Sequence, residues 1–412
     1  MATGERSGDG REAAAVQGAH LRSAREAAGL SLSQLATRLN YSRAALGHYE
    51  TGARGTPPDI ALWYERICGE YTDPVAAVTA LGRADVDRRS FLFKAAYTTA
   101  LSATALGALD AGRLVATGAT RTVGMGEVDA VRAVTAAFLS LDEARGGGIG
   151  RTAVAEFLVT DVADVLRSRF ANATIRAEAF SAAAELAYLA AFKAHDAGQD
   201  GVAQRYYLAA LRLAEQSGNP AQEAWVLRAL ALQGVDIRQR RFSVDLVEEA
   251  VRRAHGKLGA DAAALFTVGL ARCHAESGNR AQALAVLRDA QGVITADLTD
   301  PAPRWIAMWC PNKATVVDQA AKAFSALGEH GEAQRLFVLG ASIWNPGTHA
   351  RVHALTCADA GLAQWKTGDD SGAAALWTSI IPVLQRVQSA RTAKALDKIR
   401  RHAPELVTTA AV

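Results

Sequence analysis

The sequence predicts an all-α protein, in which an N-terminal bundle of short helices is followed by an array of helical hairpins. Half of the 412 residues are hydrophobic but only 6% are aromatic. An alanine-rich composition of this kind packs helices closely and makes a poor β-sheet. Apolar residues recur at helical spacing from about Gln17 onward. Beyond residue 180 the chain repeats a pattern of small residues.

The length of the chain points to more than one domain. A chain of 412 residues exceeds what one hydrophobic core normally holds, so two or three domains are expected. The predicted organisation is a disordered tail over 1–15, a helical bundle over 16–71, a helical linker over 72–125 and a helical repeat domain over 126–408.

The bundle contains two short predicted helices around a tight turn, between residues 31 and 52. Ser31 and Ser42 stand where N-caps are expected, and Gly52 ends the second helix. The apolar positions that face a core are Leu35, Ala36, Leu39, Ala45, Leu46 and Tyr49. The second helix keeps a polar face, which is typical of proteins that place one helix in the major groove of DNA.

The charge of the bundle favours a phosphate-binding face. The whole chain carries a net charge of +3, which is too small to identify a partner. Between residues 20 and 54, however, five arginines accompany two glutamates, and this excess of three equals the net charge of the whole chain. The residues are Arg22, Arg25, Arg38, Arg43, Arg54, Glu26 and Glu50. A local basic excess attracts the nucleic-acid backbone.

Other classes of site are not indicated. The four cysteines, at positions 68, 273, 310 and 357, form no C-x-x-C pair, and the histidines are scattered. We therefore expect neither a metal site nor a cofactor, and we expect reduced cysteines in a cytoplasmic protein. The sequence contains no nucleophile elbow, phosphate loop or paired carboxylates at a predicted site, so we do not expect an enzyme.

One segment has the form of a targeting signal. Arg88 and Arg89 precede a mildly apolar run over 95–109, as in a twin-arginine export signal. Such signals are N-terminal, whereas the helical bundle comes first here, and the run is too short to span a bilayer. We expect a linker helix that packs on the second domain, with export as the alternative.

Two helices and then five repeat units are predicted after the linker. The helices run from about Glu127 to Arg145, where a glycine run follows, and from about Thr152 to Phe170. In the second helix of each repeat a small residue aligns, and these residues are Ala203, Ser243, Ala283, Ala333 and Ala373. A small residue stands twelve positions before each of them, and a glycine stands five positions before four of them.

These offsets let two antiparallel helices approach closely and place a glycine in the turn between them. They are the pattern of tetratricopeptide-like helical hairpins stacked in an α-solenoid. Two irregularities stand out. Arg238 occupies the turn position of the second unit, and the spacing between the third and fourth units is 50 residues instead of 40.

Eight residues of the bundle carry a more specific signal, and they are Leu35, Ala36, Leu39, Ser42, Leu46, Tyr49, Glu50 and Gly52. In these positions residues 17–69 resemble the phage-repressor-like (XRE-type) helix-turn-helix family. The resemblance implies that the recognition helix runs from Ser42 to Tyr49. Arg43 would then face guanine, whose two acceptors suit a guanidinium, and Ala44 would touch a thymine methyl.

The same resemblance assigns further DNA contacts. His48 would reach a base or a phosphate, and Ser42, Arg54 and Arg38 would hold phosphates. Gly47 lies in the middle of the recognition helix, which it weakens by roughly 1 kcal/mol relative to alanine. Close approach to DNA and simple drift are both open as its explanation.

Three longer segments, over 138–149, 184–198 and 203–214, extend the resemblance to the whole chain. They are similar to a family of actinobacterial regulators that fuse this helix-turn-helix to a tetratricopeptide-like domain. The resemblance implies a cytoplasmic transcription regulator that binds double-stranded DNA as a homodimer. It does not imply a membrane partner.

The first helices of stacked hairpins line a groove in such architectures. The repeat register places a set of charged and aromatic residues there, and a pair of tryptophans precedes the fourth unit. The predicted groove residues are Glu185, Tyr188, Phe192, Arg228, Arg272, Asp318, Trp365, Trp305 and Trp309. A signalling peptide, a small molecule or a protein is the expected occupant. Core packing of the aromatic rings and solvation of the arginines are the alternatives.

Two functions from different classes remain open at this point. The first is a sequence-specific DNA-binding regulator whose repeat domain senses a signal and mediates dimerisation. The second is a protein-interaction adaptor, in which the repeat domain binds a protein and the DNA-binding motif is incidental.

Overall fold

The computed structural model describes most of the chain. The described residues are 18–19, 21–22, 24–26, 30–39, 41–54, 56–57, 60, 64, 74–87, 122–297, 300–309 and 312–409. The chain divides into two compact units, Met1–Pro74 and Val75–Val412. The predicted tail over 1–15, the Arg88-Arg89 pair and the apolar run over 95–109 lie outside the described residues.

The first unit contains the two predicted short helices, α1 at Leu32–Leu39 and α2 at Arg43–Glu50. Ser31 and Gln34 form a reciprocal cap on α1. The Gln34 N–H donates to Ser31 Oγ at 3.2 Å and the Ser31 N–H donates to Gln34 Oε1 at 2.8 Å. Ser42 caps α2, because its Oγ accepts from the Ala45 N–H at 3.0 Å. Both predicted caps are confirmed.

A small apolar core holds these helices together. It consists of Leu21, Ala24, Leu30, Leu35, Ala36, Leu46, Tyr49, Ile60 and Tyr64. Leu35 comes from α1 and Leu46 from α2, and both are fully buried. The shared core therefore fixes the inner face of α2 and leaves its opposite face turned outward.

Helix α3, Pro74–Asp87, lies at the division between the units. From Val75 onward its residues belong to the second unit. The Arg151 guanidinium donates to Asp85 at 2.7 Å, and both side chains are buried. The segment that the sequence assigns to a linker therefore begins with a helix anchored in the second unit.

Further short elements precede the repeats. They are β1 Thr122–Val123, α4 Met125–Arg145, α5 Arg151–Phe157, a π-helical turn over Leu158–Val162, α6 Ala163–Arg167 and β2 Arg169–Phe170. The helix predicted to run through Phe170 ends earlier, at Arg167, because Arg169 and Phe170 pair in parallel with Thr122 and Val123. A contact between segments this distant in sequence leaves no local signal.

Five helical hairpins form the body of the second unit and confirm the predicted all-α fold with helical repeats. They are α7–α8 (Ala173–Asp196, Asp200–Ser217), α9–α10 (Pro220–Asp236, Arg240–Ala254), α11–α12 (Ala260–Glu276, Arg280–Asp289), α15–α16 (Asn312–Ala326, His330–Ile343) and α17–α18 (Ala350–Lys366, Asp370–Arg386). Helices α13 (Gln291–Thr295) and α14 (Arg304–Ala307) lie between the third and fourth hairpins, and α19 (Ala390–His402) and α20 (Pro404–Thr409) follow the last. Among the described residues, no helix is both long and apolar enough to cross a membrane.

The aligned small residues lie where the two helices of each hairpin meet. The five aligned positions of the second helices are Ala203, Ser243, Ala283, Ala333 and Ala373, and each is at most 1% exposed. The position twelve residues earlier, on the first helix, is equally constrained in the fifth hairpin, since a Cβ on Gly361 would lie 2.3 Å from the Trp377 indole. The repeat register read from the sequence is therefore the packing register of the helices.

The turn inside each hairpin requires a left-handed residue. Gly198, Gly278, Gly328 and Gly368 have φ values of 75°, 83°, 81° and 87°. Arg238 occupies the same position in the second hairpin, with a φ of 65°. An L-residue with a Cβ is strained there by about 1 kcal/mol, so the turn geometry of the repeat prevails over the local preference of arginine.

We expect Arg238→Gly to stabilise the second unit by up to about 1 kcal/mol, because it relieves this strain. Gly278→Ala, the matched change at the corresponding turn, is expected to destabilise the unit by about 1 kcal/mol, since nothing lies within 4 Å of its Cβ position and only the backbone opposes it. Urea unfolding followed by circular dichroism measures both. Equal effects of the two changes would contradict the shared left-handed turn.

A buried cluster of charges joins the beginning of the second unit to its last hairpin. This closure cluster consists of Asp142 at the end of α4, its neighbour Glu143, Lys193 and Asp196 on α7, and Arg351 on α17. The Arg351 guanidinium contacts Asp142 at 2.7 Å, Glu143 at 3.0 Å and Asp196 at 3.1 Å, and Lys193 contacts Asp142 at 3.1 Å. Helix α4 therefore packs against both the first and the last hairpin.

The glycine run after α4 permits this closure. Gly146 has a φ of 93°, and a Cβ there would lie 2.5 Å from the Gln388 carbonyl oxygen. A Cβ on Gly147 would lie 2.6 Å from the Lys193 carbonyl oxygen. The Gly147 N–H donates to Asp196 at 2.9 Å. The run is therefore a site of close backbone approach as well as the end of a helix.

Candidate functional site

The outward face of α2 carries the residues that the sequence assigns to DNA bases. Arg43, Ala44 and His48 are exposed, and Gly47 is half-buried beside them. Within the described part of the chain, the Arg43 and His48 side chains make no hydrogen bond or ion pair. A helix whose exposed face begins with an arginine and a small residue at its N-terminal end has the form that enters a major groove.

The residues assigned to phosphates flank this face. Arg38 is exposed near the end of α1, and Arg54 is exposed in the turn after α2. The Arg54 N–H donates to the His48 carbonyl oxygen at 3.2 Å, which folds the turn back beside the helix. Ser42 Oγ accepts a hydrogen bond as the cap, but its hydroxyl hydrogen stays available to donate to a phosphate.

Ion pairs determine which of the five arginines between residues 20 and 54 can contact DNA. Arg25 is buried and donates to both carboxylate oxygens of Glu50, at 2.6 and 2.8 Å. Arg22 donates to Glu26 at 2.8 Å. Each of these two arginines is neutralised by its glutamate. The excess of three positive charges between residues 20 and 54 therefore lies on Arg38, Arg43 and Arg54. We call these three arginines the basic face.

The packing around Gly47 does not require a glycine. A Cβ at this position would meet Leu32 Cδ2 at 3.6 Å, an ordinary contact. Gly47 is also not among the described residues with positive φ. Neither the fold of the helix nor its neighbours explains this residue, and the two explanations given above stay predictions.

In the second unit, the predicted groove residues separate into two groups and one outlier. The first group is aromatic. Trp309 lies 4.7 Å from Tyr188 and 5.2 Å from Phe192, centroid to centroid, and Trp305 lies 6.3 Å from Trp225. Tyr188 stacks on Trp225 at 6.0 Å. Trp225 is not among the predicted groove residues, although it lies three residues before Arg228 on the same helix face.

Glu185 lies beside this aromatic group and is buried. Arg132 of α4 and Arg304 of α14 approach its carboxylate, each at 3.7 Å, and neither distance is a hydrogen bond. Both carboxylate oxygens lack a hydrogen-bond partner among the described residues. Burial raises the pKa of the Glu185 carboxyl to about 7, although Arg132 and Arg304 oppose the shift.

The second group is polar and joins neighbouring hairpins. Arg272 donates to Asp236 and, at 3.1 Å, to Gln319. Asp318 accepts from Lys322 at 2.7 Å and from Thr356 at 3.3 Å. Arg228, near the aromatic group, donates to the Leu265 carbonyl oxygen at 2.8 Å. These contacts make the three residues part of the packing between hairpins, so a ligand role for them stays a prediction.

Trp365 is the outlier. It is 38% exposed and lies 4.1 Å, centroid to centroid, from His402 of α19. Its ring contact among the described residues is therefore with α19 and not with the aromatic group around Trp225.

The comparison with protein families agrees with the geometry of the first unit. Residues 18–91 match the model of a helix-turn-helix domain. The match covers α1, α2 and α3 and less than half of the chain. No curated protein and no solved structure matches the chain significantly. The chain thus contains a helix-turn-helix domain at residues 18–91, and this domain supports a DNA-binding regulator.

Proposed function

We propose that the chain is a sequence-specific transcription regulator of the XRE type that reads double-stranded DNA with α2. Arg43 and Ala44 contact base edges, His48 contacts a base or a phosphate, and Ser42, Arg38 and Arg54 hold phosphates. The observation that carries the proposal is the sorting of charge in the first unit. Of the five arginines between residues 20 and 54, two are neutralised by glutamates. The other three are exposed, with Arg43 on the outward face of the predicted recognition helix and Arg38 and Arg54 outside that helix.

The proposal extends to the second unit. We propose that the tetratricopeptide-like repeats sense a peptide, small-molecule or protein signal and mediate homodimerisation, in the cytoplasm and without enzymatic activity. A ligand acts on DNA binding only if it has different affinities for two states of the protein. A two-fold symmetric dimer suits half-sites about one turn of DNA apart.

We expect Arg43→Ala to weaken binding to the specific site by about 5- to 150-fold, because a guanidinium that bridges the two acceptors of guanine is worth about 1–3 kcal/mol. Genomic fragments bound by the purified protein are first isolated and footprinted. The affinity of the variant is then measured on the fragment with the clearest footprint. A discrete, symmetric footprint gives the half-site spacing.

Two further variants serve as controls. Arg54→Ala is expected to lower the slope of log affinity against log salt by about 0.9 while leaving the sequence preference unchanged, because it removes one phosphate contact. Arg335→Ala, on the half-exposed surface of α16, is expected to change neither quantity. Weak, uniform binding that Arg43→Ala retains would contradict direct readout and favour the adaptor function.

A further inference from the structure

An insertion covers the aromatic group of the second unit. The aligned positions Ala283 and Ala333 are 50 residues apart, ten more than in the other repeats. Residues 300–309, which we call the strap, lie in this interval and include α14. The strap places Trp305 and Trp309 on Tyr188, Phe192 and Trp225, which belong to the first helices of the first two hairpins.

Side chains, more than backbone pairing, hold the strap in place. The described backbone hydrogen bonds of α14 are local. The Ile306 N–H donates to Pro303, Met308 to Arg304 and Trp309 to Ile306, at 2.9 to 3.0 Å. Pro301 and Pro303 have no N–H to donate. At its start the strap is tied by the Asp300 N–H, which donates to Asp261 at 2.6 Å.

The strap is an imperfect occupant of the surface beneath it. Both oxygens of Glu185 and Nε1 of Trp225 are buried there without a hydrogen-bond partner among the described residues. The strap offers one positive charge to Glu185, from the half-exposed Arg304, but only at 3.7 Å. Buried polar atoms without partners destabilise the closed arrangement, so an occupant that pairs them binds more tightly.

Open space lies on the other side of the strap. Met308 and Trp309 border a cavity of about 640 Å³, whose further walls are formed by α4 and by residues 347–349. The strap thus borders open space on this side, and its removal would expose the rings of Tyr188, Phe192 and Trp225 with the Glu185 carboxylate nearby.

We propose that the strap is a removable internal ligand of this surface, and that the signal is a polypeptide segment that carries aromatic rings and a positive charge and takes the place of the strap. The signalling segment is expected to resemble the strap, which carries two tryptophans four residues apart, Trp305 and Trp309, and a basic residue, Arg304, directly before the first. The inference rests on the proposed sensing role of the second unit and names the class of ligand for it.

The test uses a fluorescent synthetic peptide with the sequence of residues 300–309 and the full-length chain. We expect the peptide to bind the Trp305→Ala/Trp309→Ala variant at least tenfold more tightly than the wild type, because the variant lacks the competing indoles. A peptide with alanine at both tryptophan positions is expected not to bind. Equal binding to wild type and variant, or no binding to a variant that unfolds cooperatively, would overturn the proposal.

If the double variant does not unfold cooperatively, Arg304→Glu takes its place. This substitution places a carboxylate opposite Glu185, so that the two negative charges repel the strap from its surface while both indoles stay intact. It is expected to raise the affinity for the peptide above that of the wild type. Arg335→Glu is the matched control, from which no change is expected. Peptide affinity equal in Arg304→Glu and the control would overturn the proposal.

Hydrogen exchange of the strap gives a second readout. The pKa of Glu185 is raised while the strap packs on it, so protonation of this carboxyl favours the packed strap. The strap is therefore expected to detach more often as the pH rises toward 7 and beyond. Arg132, Arg304 and Glu178 are the charged groups that act on it. After correction for intrinsic rates, opening of wild-type residues 300–309 is expected to rise about tenfold from pH 6 to pH 8. Glu185→Gln is expected to abolish this pH dependence. If the variant kept it, the result would contradict the contact between Glu185 and the strap.

These measurements do not depend on DNA. A peptide that fails to bind leaves the footprint of the first unit unaffected, and a missing footprint leaves peptide binding unaffected. The failure of this inference is therefore distinguishable from the failure of the proposed function.

Discussion

Arg351→Met is expected to destabilise the second unit by about 3–5 kcal/mol, the typical effect of removing one partner from a buried ion pair. The arginine is completely buried and contacts three carboxylates, Asp142, Glu143 and Asp196. Methionine fills a similar volume but leaves these carboxylates with Lys193 as their remaining cation in the closure cluster. Urea unfolding of the full-length chain, followed by circular dichroism, measures the change.

Arg335→Met provides the matched control. Arg335 pairs with Glu332 at 2.9 Å, but both side chains are about half exposed. An exposed pair contributes at most about 1 kcal/mol, so this variant is expected to unfold close to the wild type. Comparable midpoints for the two variants would show that the closure cluster is no more important than a surface ion pair.

Glu50→Gln is expected to destabilise the first unit by about 3–5 kcal/mol, because it removes the buried carboxylate that pairs with Arg25 and leaves only the exposed Glu26, at 3.5 Å, near that charge. Glu50 accepts two of the hydrogen bonds that the Arg25 guanidinium donates and a third hydrogen bond from the Tyr64 hydroxyl at 2.7 Å. A stability of 0.05–0.15 kcal/mol per residue gives the helical bundle over residues 16–71 about 3–8 kcal/mol. The variant is therefore expected to lose binding to every DNA sequence, specific or not.

Thermal unfolding and DNA binding of the variant together measure this effect. Glu26→Gln is the control within the same unit. Glu26 is itself exposed, pairs with the exposed Arg22 at 2.8 Å and approaches Arg25 only at 3.5 Å, so its effect is expected to stay below about 1 kcal/mol. A Glu50→Gln protein that still gives the wild-type footprint would contradict a structural role for the buried pair.

Local signals in the sequence sufficed for the helix caps, the hairpin turns and the outward face of α2, but not for the short strand pair that ends the helix predicted through Phe170. The caps at Ser31 and Ser42 depend on residues three positions apart, and the turn at Arg238 follows from the repeat register alone. The predicted face of α2 rests on the same kind of local periodicity. These features involve neighbours along the chain, so helix geometry is enough to infer them.

Contacts between distant residues account for what the sequence did not reveal. Arg25 was counted with the basic residues, because its pairing with Glu50 joins positions 25 residues apart. The strap was visible only as a longer spacing and two tryptophans, and nothing local shows that they cover Tyr188 and Trp225. Only the three-dimensional arrangement shows that Trp305 and Trp309 pack on aromatic side chains of the first two hairpins.

The closure cluster also has a consequence for the order of folding during synthesis. Arg351 is 209 residues from Asp142, so this contact contributes a high contact order to a fold otherwise built from neighbouring helices. At a synthesis rate of 5–20 residues per second, roughly 10–40 s separate the appearance of the two side chains at the ribosome. Until Arg351 is synthesised, Lys193 is the only cation of the closure cluster that the growing chain supplies, so the second unit is completed only after the fifth hairpin has begun to emerge.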